Sequence, residues 1–522
     1  MTTSTALPAP AAARRAAPGP SRTPLILAVC CLAQLMVVLD VSVVIVALPR
    51  MRHDLGLSVA GQQWVVNAYT LTFAGFLMLG GRAADLFGRK RIFLLGLTVF
   101  TACSLIGGLA TDGTWLVLAR AAQGLGGAIL APATLSLLTT NFPDPDQRRR
   151  ALGAWSATAA SGAAIGVLLG GVLTESLGWR WVLFVNVPIG AALVVMTVVG
   201  VPESRADSLR RYLDVPGALT VTAGLAVLVY GIVGTDSHSW GSTTTVVPLA
   251  AGGVLLAAFI LIESRFAAHP LVPLTVFRRR SLTVANGMAV MLGSALFGLY
   301  FFLSLYIQQV NGDDALRGGL SYLPAGLSTL VAALIGARLV ARIGPRRQLV
   351  IGPVLTAAGL IWLTALTPGA NYWAHIFGPL VMCGFGFGLS FVPMTMAATT
   401  GLPPQEAGLA AGLINTTRQV GGAVGLAIMA TVAASAVPAA VAAGAAQHRQ
   451  GAAHALAAAL TTGYTRAFLI SAFCLLAGAT LALLLPGASP ARAAQGPART
   501  VSLPQRDPDI DLEASPVPAY EA

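Results

Sequence analysis

The chain alternates between long apolar runs and short polar breaks, and the runs share one length. Fourteen stretches of about 20 mostly apolar residues, the length of helix that crosses a hydrocarbon core, fall near 25–48, 61–81, 91–110, 114–138, 150–173, 180–201, 214–234, 246–263, 282–306, 318–341, 347–366, 374–398, 408–435 and 464–486. The break from Gly80 to Arg91, GGRAADLFGRKR, packs one carboxylate and four cations between two such runs. A charge at the bilayer centre costs about 2.5–3.5 kcal/mol even on an insertion scale. The break is therefore a short aqueous loop joining two spanning helices.

The pattern also repeats. Gly80 and Gly88 are matched by Gly336 and Gly344, each 256 residues on, and Lys90 and Arg91 by Arg346 and Arg347, with Ala341 where Asp85 would recur. The chain thus has two related halves. Spans 1–6 pair off with spans 9–14, and the two spans within 214–263 are left over as an insertion. The expected organisation is an all-α membrane protein with 14 transmembrane helices. A disordered N-terminal tail at 1–24, rich in Ala, Pro, Thr and Arg, precedes a six-helix half at 25–201. A linker with two extra helices at 202–281, a second six-helix half at 282–486 and a disordered tail at 487–522 follow. The first apolar run is long enough to span and leads straight on to others, unlike a cleavable signal.

Composition agrees: 56% of residues are apolar and 10% charged, where a soluble domain has about a quarter charged. A net charge of +12 would suggest a nucleic-acid partner for a soluble protein, but here the cations sit in the polar breaks, so none is expected. Those breaks set orientation, since Lys and Arg stay inside. With the N-terminus inside, the cytoplasmic segments hold 24 cations and the outer ones 6 (Arg50, Arg52, Arg180, Arg317, Arg449 and Arg466). Both termini are then cytoplasmic. Trp64, Trp115, Trp179, Trp181, Trp240 and Trp373 fall near the outer interface, where indole prefers to lie. Lys90 is the one lysine beside 31 arginines, which with the many alanines suggests a G+C-rich bacterial genome and a bacterial plasma membrane.

Candidate chemistry is sparse. The five cysteines (Cys30, Cys31, Cys103, Cys383 and Cys474) lie inside apolar runs without metal-ligand spacing and read as small core residues. The six histidines are scattered, and there is no phosphate loop G-x-x-x-x-G-K-[ST]. No enzyme activity, cofactor or metal is expected, and an ion gradient replaces ATP as the energy source.

Three charges are isolated within apolar runs. Of 20 acids, Asp40 alone lies well inside a span. Such a carboxylate is by default a functional residue, most often a proton carrier in a transporter; the bland reading is a buried Asp that caps or pairs. Arg120 lies about six residues, roughly 9 Å, below the outer start of span 4, and Asp40 about eight residues, roughly 12 Å, below the outer end of span 1. Their depths match. Read from the residues alone, Arg120 is a hydrogen-bond donor to backbone carbonyls. Arg418 sits near the middle of span 13 among Asn415, Thr416, Thr417 and Gln419; this cluster either lines a cavity or ties helices together. On span 5, Gly162, Gly166 and Gly170 recur every four residues with Gly171 beside them, a stripe that lets helices approach closely.

The loop residues Gly81, Asp85, Gly88, Arg89 and Lys90 resemble the G-x-x-x-D-x-x-G-R-K signature between helices 2 and 3 of the major facilitator superfamily of secondary transporters. The stretches LDVSVVIVALP at Leu39 to Pro49, LARAAQGLGGAILAP at Leu118 to Pro132, GWRWVLFVNVPIG at Gly178 to Gly190 and NTTRQVGG at Asn415 to Gly422 extend the resemblance over nearly the whole membrane part. With the central inserted pair, they are similar to the 14-spanner drug:proton antiporter branch. The resemblance implies proton coupling through Asp40 and through Arg120 of the Arg-x-x-x-G signature. It also implies a conformational gate at Gly81, Asp85, Gly88, Arg89 and Lys90, and an antiport motif at Gly162, Gly166, Gly170 and Gly171. Gln123, Asn415 and Arg418 become candidate cavity residues. Val167 stands where the antiport signature has proline, which would have bent the helix.

The expected function is proton-coupled export of amphipathic drugs or antibiotics by a monomer. An uptake permease or non-drug exporter on the same scaffold, or a transporter-like sensor, remain as alternatives. Because Asp40 must also carry the proton, neutral compounds and monocations are expected to fare better than dications as substrates.

Overall fold

A computed structural model of the protein describes residues 23–142, 144–204, 213–236, 238–267, 270, 272–400, 404–435 and 449–485, and among these there are helices and no strand. In hydrocarbon every backbone N–H and C=O must be satisfied within the segment, and a helix does so. The first seven helices are α1 (Thr23–Leu55), α2 (Val59–Phe87), α3 (Arg89–Gly108), α4 (Gly113–Asn141), α5 (Pro145–Ser176), α6 (Trp181–Phe184) and α7 (Asn186–Gly200). Then come α8 (Val215–Val233), α9 (Thr243–Leu261), α10 (Arg280–Leu305), α11 (Ala315–Ser321), α12 (Leu323–Ile343) and α13 (Pro345–Leu363). The last three are α14 (Gly378–Thr399), α15 (Pro404–Ala434) and α16 (Arg449–Ala482).

Among the described residues 11 helices are long and apolar enough to cross a membrane. The runs expected at 150–173, 347–366 and 408–435 are helical as well, as α5, α13 and α15, each with polar residues at its start or within it. Arg148 and Arg150 open α5, Arg346 and Arg347 open α13, and α15 carries Asn415 to Gln419. The run at 180–201 is divided at Val185 into α6 and α7. The last helix begins at Arg449, well before the expected 464. Residues 1–22 and 487–522, expected to be disordered tails, lie outside the described residues, while Thr23 and Pro24 open α1.

The polar breaks end the helices by specific chemistry. Side-chain oxygens of Ser58, Asp112, Asp144, Asp214 and Asp314 accept from the backbone N–H three residues on, capping α2, α4, α5, α8 and α11. Each satisfies a donor that the first helical turn leaves unpaired. The two repeated loops turn alike: Gly88 between α2 and α3 has φ 108° and Gly344 between α12 and α13 has φ 80°. L side chains rarely adopt that region, so the sequence repeat is also a repeat of backbone geometry.

Helices α1 to α5 and α7 pack chiefly on one another, α2 and α3 on α4 and α1 on α5; α10 packs on α15 and α16, and α12 and α13 on α14. The pair α8 and α9 is joined to this frame through α8, which lies on α2 and α15. The two groups meet through α2 with α15 and through α5 with α11 and α12. Several of these contacts gather on the second half of α1 and near the end of α5. Ser304 Oγ and Gln308 Nε2 donate to the carbonyls of Ile45 and Val46, at 3.4 and 3.0 Å. A Cβ on Gly171 would lie 2.6 Å from the Ala315 carbonyl, so glycine allows that crossing.

Candidate functional site: a buried charge pair and two flanking clusters

Four helices bring one polar cluster into the apolar interior. Asp40 of α1 is 0% exposed and Arg120 of α4 is 1% exposed. Arg120 Nη1 donates to Asp40 Oδ2 at 2.5 Å. The other carboxylate oxygen accepts from Gln123 Nε2 at 2.8 Å and from Asn186 Nδ2 at 3.0 Å. Asn186 Nδ2 also meets Ser104 Oγ at 3.0 Å, and that hydroxyl donates to the Leu183 carbonyl at 2.8 Å.

The guanidinium is held as closely. Its Nη1 reaches Gln123 Oε1 at 2.8 Å, its Nε the Val65 carbonyl at 3.3 Å, and its carbon lies 4.3 Å from the centre of the Tyr69 ring. Arg120 and Gln123 are three residues apart on one face of α4, which is why both reach α1. Charge-assisted hydrogen bonds of this kind are short and strong, and the low dielectric around them makes each one matter more. The cluster can hold one negative and one positive charge together away from water. A proton delivered to Asp40 would cancel that balance.

The glycine stripe of α5 packs on the same stretch of α1. An added Cβ would lie 3.1 Å from Val38 at Gly162, 3.0 Å from the Leu39 carbonyl at Gly166 and 2.8 Å from the Val43 carbonyl at Gly170. Glycine therefore lets α5 cross next to the turn that carries Asp40. Val167, at the position of the absent proline, is buried in the same helix.

The loop between α2 and α3 forms a second cluster. Asp85 Oδ1 accepts from Arg89 Nη2 at 3.1 Å and from Ser136 Oγ of α4 at 3.4 Å, and Gly81 faces Pro132 of α4. Glu203, just after α7, closes the loop from the other side. Its Oε1 accepts from the Lys90 backbone N–H at 3.2 Å, and its Oε2 lies 3.5 Å from Arg91 Nε. Lys90 Nζ donates to the Val198 carbonyl at 2.9 Å, and the Arg89 N–H to Ser204 O at 2.9 Å. A Cβ on Gly88 would lie 2.7 Å from Glu203 Oε1 and would push that carboxylate aside, while φ 108° is what calls for glycine there.

Arg418 forms the third cluster with Asn415, which accepts from its Nη2 at 2.8 Å; its guanidinium carbon lies 5.4 Å from the centre of the Phe391 ring. Both Asn415 and Arg418 are half-buried. Gln123, a candidate cavity residue by sequence, is instead fully buried on Asp40. Beside α15 lies an apolar cavity of about 150 Å³, lined by Met78, Leu225, Phe259, Phe277, Leu413 and Thr416 among others.

Sequence reasoning missed several partners. Asn186 was visible as a polar residue inside the run GWRWVLFVNVPIG, and Glu203 as an acid in the break after span 6; nothing local says what either touches. Glu263, expected at a span end, is 4% exposed and accepts from the Val272 N–H at 3.2 Å. Asp40 is thus accompanied by a second buried acid, just beyond the end of α9.

Comparison with known proteins gives a family. Residues 30–426 match the model of the Major Facilitator Superfamily. The chain is 45% identical to the cephamycin export protein CmcT of Amycolatopsis lactamdurans over 416 residues, 79% of this chain and 85% of that protein. It is 42% identical to the puromycin resistance protein pur8 of Streptomyces alboniger over 413 residues, 78% of this chain and 81% of that protein. Among solved structures, a bacterial homologue of the human lysosomal transporter Spinster matches with a TM-score of 0.60 at 17% identity, covering 89% of this chain and 97% of that one. With a family match over most of its length and helices that agree with it, the chain belongs to the Major Facilitator Superfamily of membrane transporters.

Proposed function

We propose that the protein is a proton-coupled exporter of amphipathic drugs or antibiotics in a bacterial plasma membrane, acting as a monomer with 14 transmembrane helices and both termini cytoplasmic. The carrying observation is the buried Asp40–Arg120 pair with its Gln123 and Asn186 donors, and the antibiotic export and resistance proteins among its relatives support the direction.

In this reading spans 1–6 and 9–14 form two halves that rock about a central path. The contacts of α1 with α10, and of α5 with α11, lie at the extracellular end and close it. Protonation of Asp40 leaves the Arg120 guanidinium uncompensated. Breaking a buried pair costs about 3–5 kcal/mol, enough to move a two-state equilibrium more than a hundredfold. Proton arrival and departure can therefore drive the change of state. Asn186 and Gln123 hold the carboxylate in place between the two protonation states.

The test is a drug-susceptibility panel in an efflux-deficient host, followed by transport into everted vesicles. Resistance with substrate uptake into everted vesicles, abolished by a protonophore, is the expected result. A second reading, an uptake permease, is favoured by Val167 in place of the motif proline; substrate entry into right-side-out cells down the proton gradient would establish it.

The loop cluster is the gate in this scheme. Asp85→Asn removes the acceptor of Arg89 and Ser136, and is expected to slow turnover several-fold while leaving substrate affinity unchanged. Initial rates and equilibrium binding on the same preparation check it, and equal rates for the two proteins would exclude the gate.

A further inference from the structure

We infer that Arg418 and Asn415 form a subsite for the carboxylate of an anionic amphipathic substrate. The inference rests on the export reading above and names its substrate class. Arg418 sits near the midpoint of α15, against the α10 backbone at Gly293 and beside Phe391 of α14. A charge at such depth is costly and marks a substrate or ion pathway.

Asp40 and Arg120 hold each other, and the other buried acid, Glu263, lies away from α15 next to Val272. Arg418 is left over. Among the described residues no carboxylate pairs with it, and of its three nitrogens only Nη2 donates, to Asn415 Oδ1. Its Nε is buried and has no partner, and neither has the Thr416 hydroxyl two residues away. Unsatisfied buried donors in a native structure call for an explanation, and a guanidinium edge fits a carboxylate bidentately. The Phe391 ring offers an apolar surface next to the charge, which suits an amphiphile with its acid at one end. A monocation there would meet Arg418 with no free acid to offset it.

Charge balance adds a second expectation. Exchange of one proton inward for one monoanion outward carries two charges in the same electrical sense. Export of the acid should then respond to an inside-negative potential more steeply than export of an uncharged analogue.

The experiment uses the full-length protein in proteoliposomes with an imposed pH gradient. The probes are drug-sized amphipathic monocarboxylates, benzylpenicillin among them, each beside its methyl ester. The wild type is expected to export the acids, and Arg418→Gln to lose at least tenfold in acid export while ester export stays within twofold. Arg418→Lys, which keeps the charge and loses the fork, should raise KM for the acid several-fold with little change for the ester. Equal losses for acid and ester would make Arg418 structural and overturn the subsite. Export of esters without acids by the wild type would overturn it too, with the export reading intact; export of neither would overturn the export reading itself. If both variants fail to fold, thermal unfolding of the purified wild type decides: the acids should raise Tm more than their esters, and an equal rise would end the proposal.

Discussion

Replacing Asp40 with asparagine is expected to reduce proton-driven export to the level of cells without the transporter, with the protein still inserted. The carboxylate is the sole anion in contact with Arg120 among the described residues, and it accepts from Arg120, Gln123 and Asn186 at once. An amide of the same shape keeps much of this packing but cannot carry a proton. It also leaves Arg120 without a compensating negative charge, among neutral partners such as the Val65 carbonyl, Gln123 and the Tyr69 ring. Removing one partner of a buried pair costs about 3–5 kcal/mol, so the single variant should unfold at a lower temperature than the wild type. The double variant Asp40→Asn with Arg120→Gln removes the stranded charge, and it should recover stability without recovering transport. That non-additivity is what a direct pair predicts. Thermal unfolding and proton flux in everted vesicles measure the two effects separately. Full resistance conferred by Asp40→Asn would refute the role of this carboxylate.

Adding a single methyl group to α5 should have the next largest effect, and its size should depend on the position. At Gly170 the new Cβ would lie 2.8 Å from the Val43 carbonyl and 2.9 Å from its Cα, so backbone must move. At Gly162 it would lie 3.1–3.3 Å from side-chain atoms of Val38 and Leu35 and from no backbone atom, so a shift of a few tenths of an ångström relieves it. Overpacking typically costs about 1–3 kcal/mol. Gly170→Ala is expected to reach that range and to lose most transport, because Val43 lies one helical turn beyond Asp40 on α1 and the crossing would open at the charge pair. Gly162→Ala should stay within about a twofold change of rate, as mild contacts with side chains alone allow. Unfolding temperatures and initial rates of the two variants test this order. Wild-type rates for Gly170→Ala would show that close approach of α5 to α1 is dispensable.

The helical framework was legible from the chain because it rests on local properties. Apolar run length gave the helices, including α5, α13 and α15, and the charged breaks marked the loops. The 256-residue repeat matched Gly344 to Gly88, and the two glycines have positive φ in common. Equal depth below the same face placed Asp40 and Arg120 at one level, a calculation that needs only the helical rise. Boundaries were less legible. The early start of α16 at Arg449 comes from Ala-rich sequence whose helix propensity is high while its hydropathy is modest.

What the sequence determined by itself, then, is which stretches form helices, that Asp40 and Arg120 lie at one level and which loops are charged, since these follow from composition over a window of about 20 residues and from the helical rise. Only the tertiary structure decided which charges meet. It joined Asp40 to Asn186 across 146 positions and Lys90 to Glu203 across 113, buried Gln123 and Glu263, and left Arg418 without a carboxylate. Those outcomes depend on which helix faces are turned toward one another. That choice is made by close packing of small residues such as Gly166 and Gly170 on α1, and no property of a single span contains it.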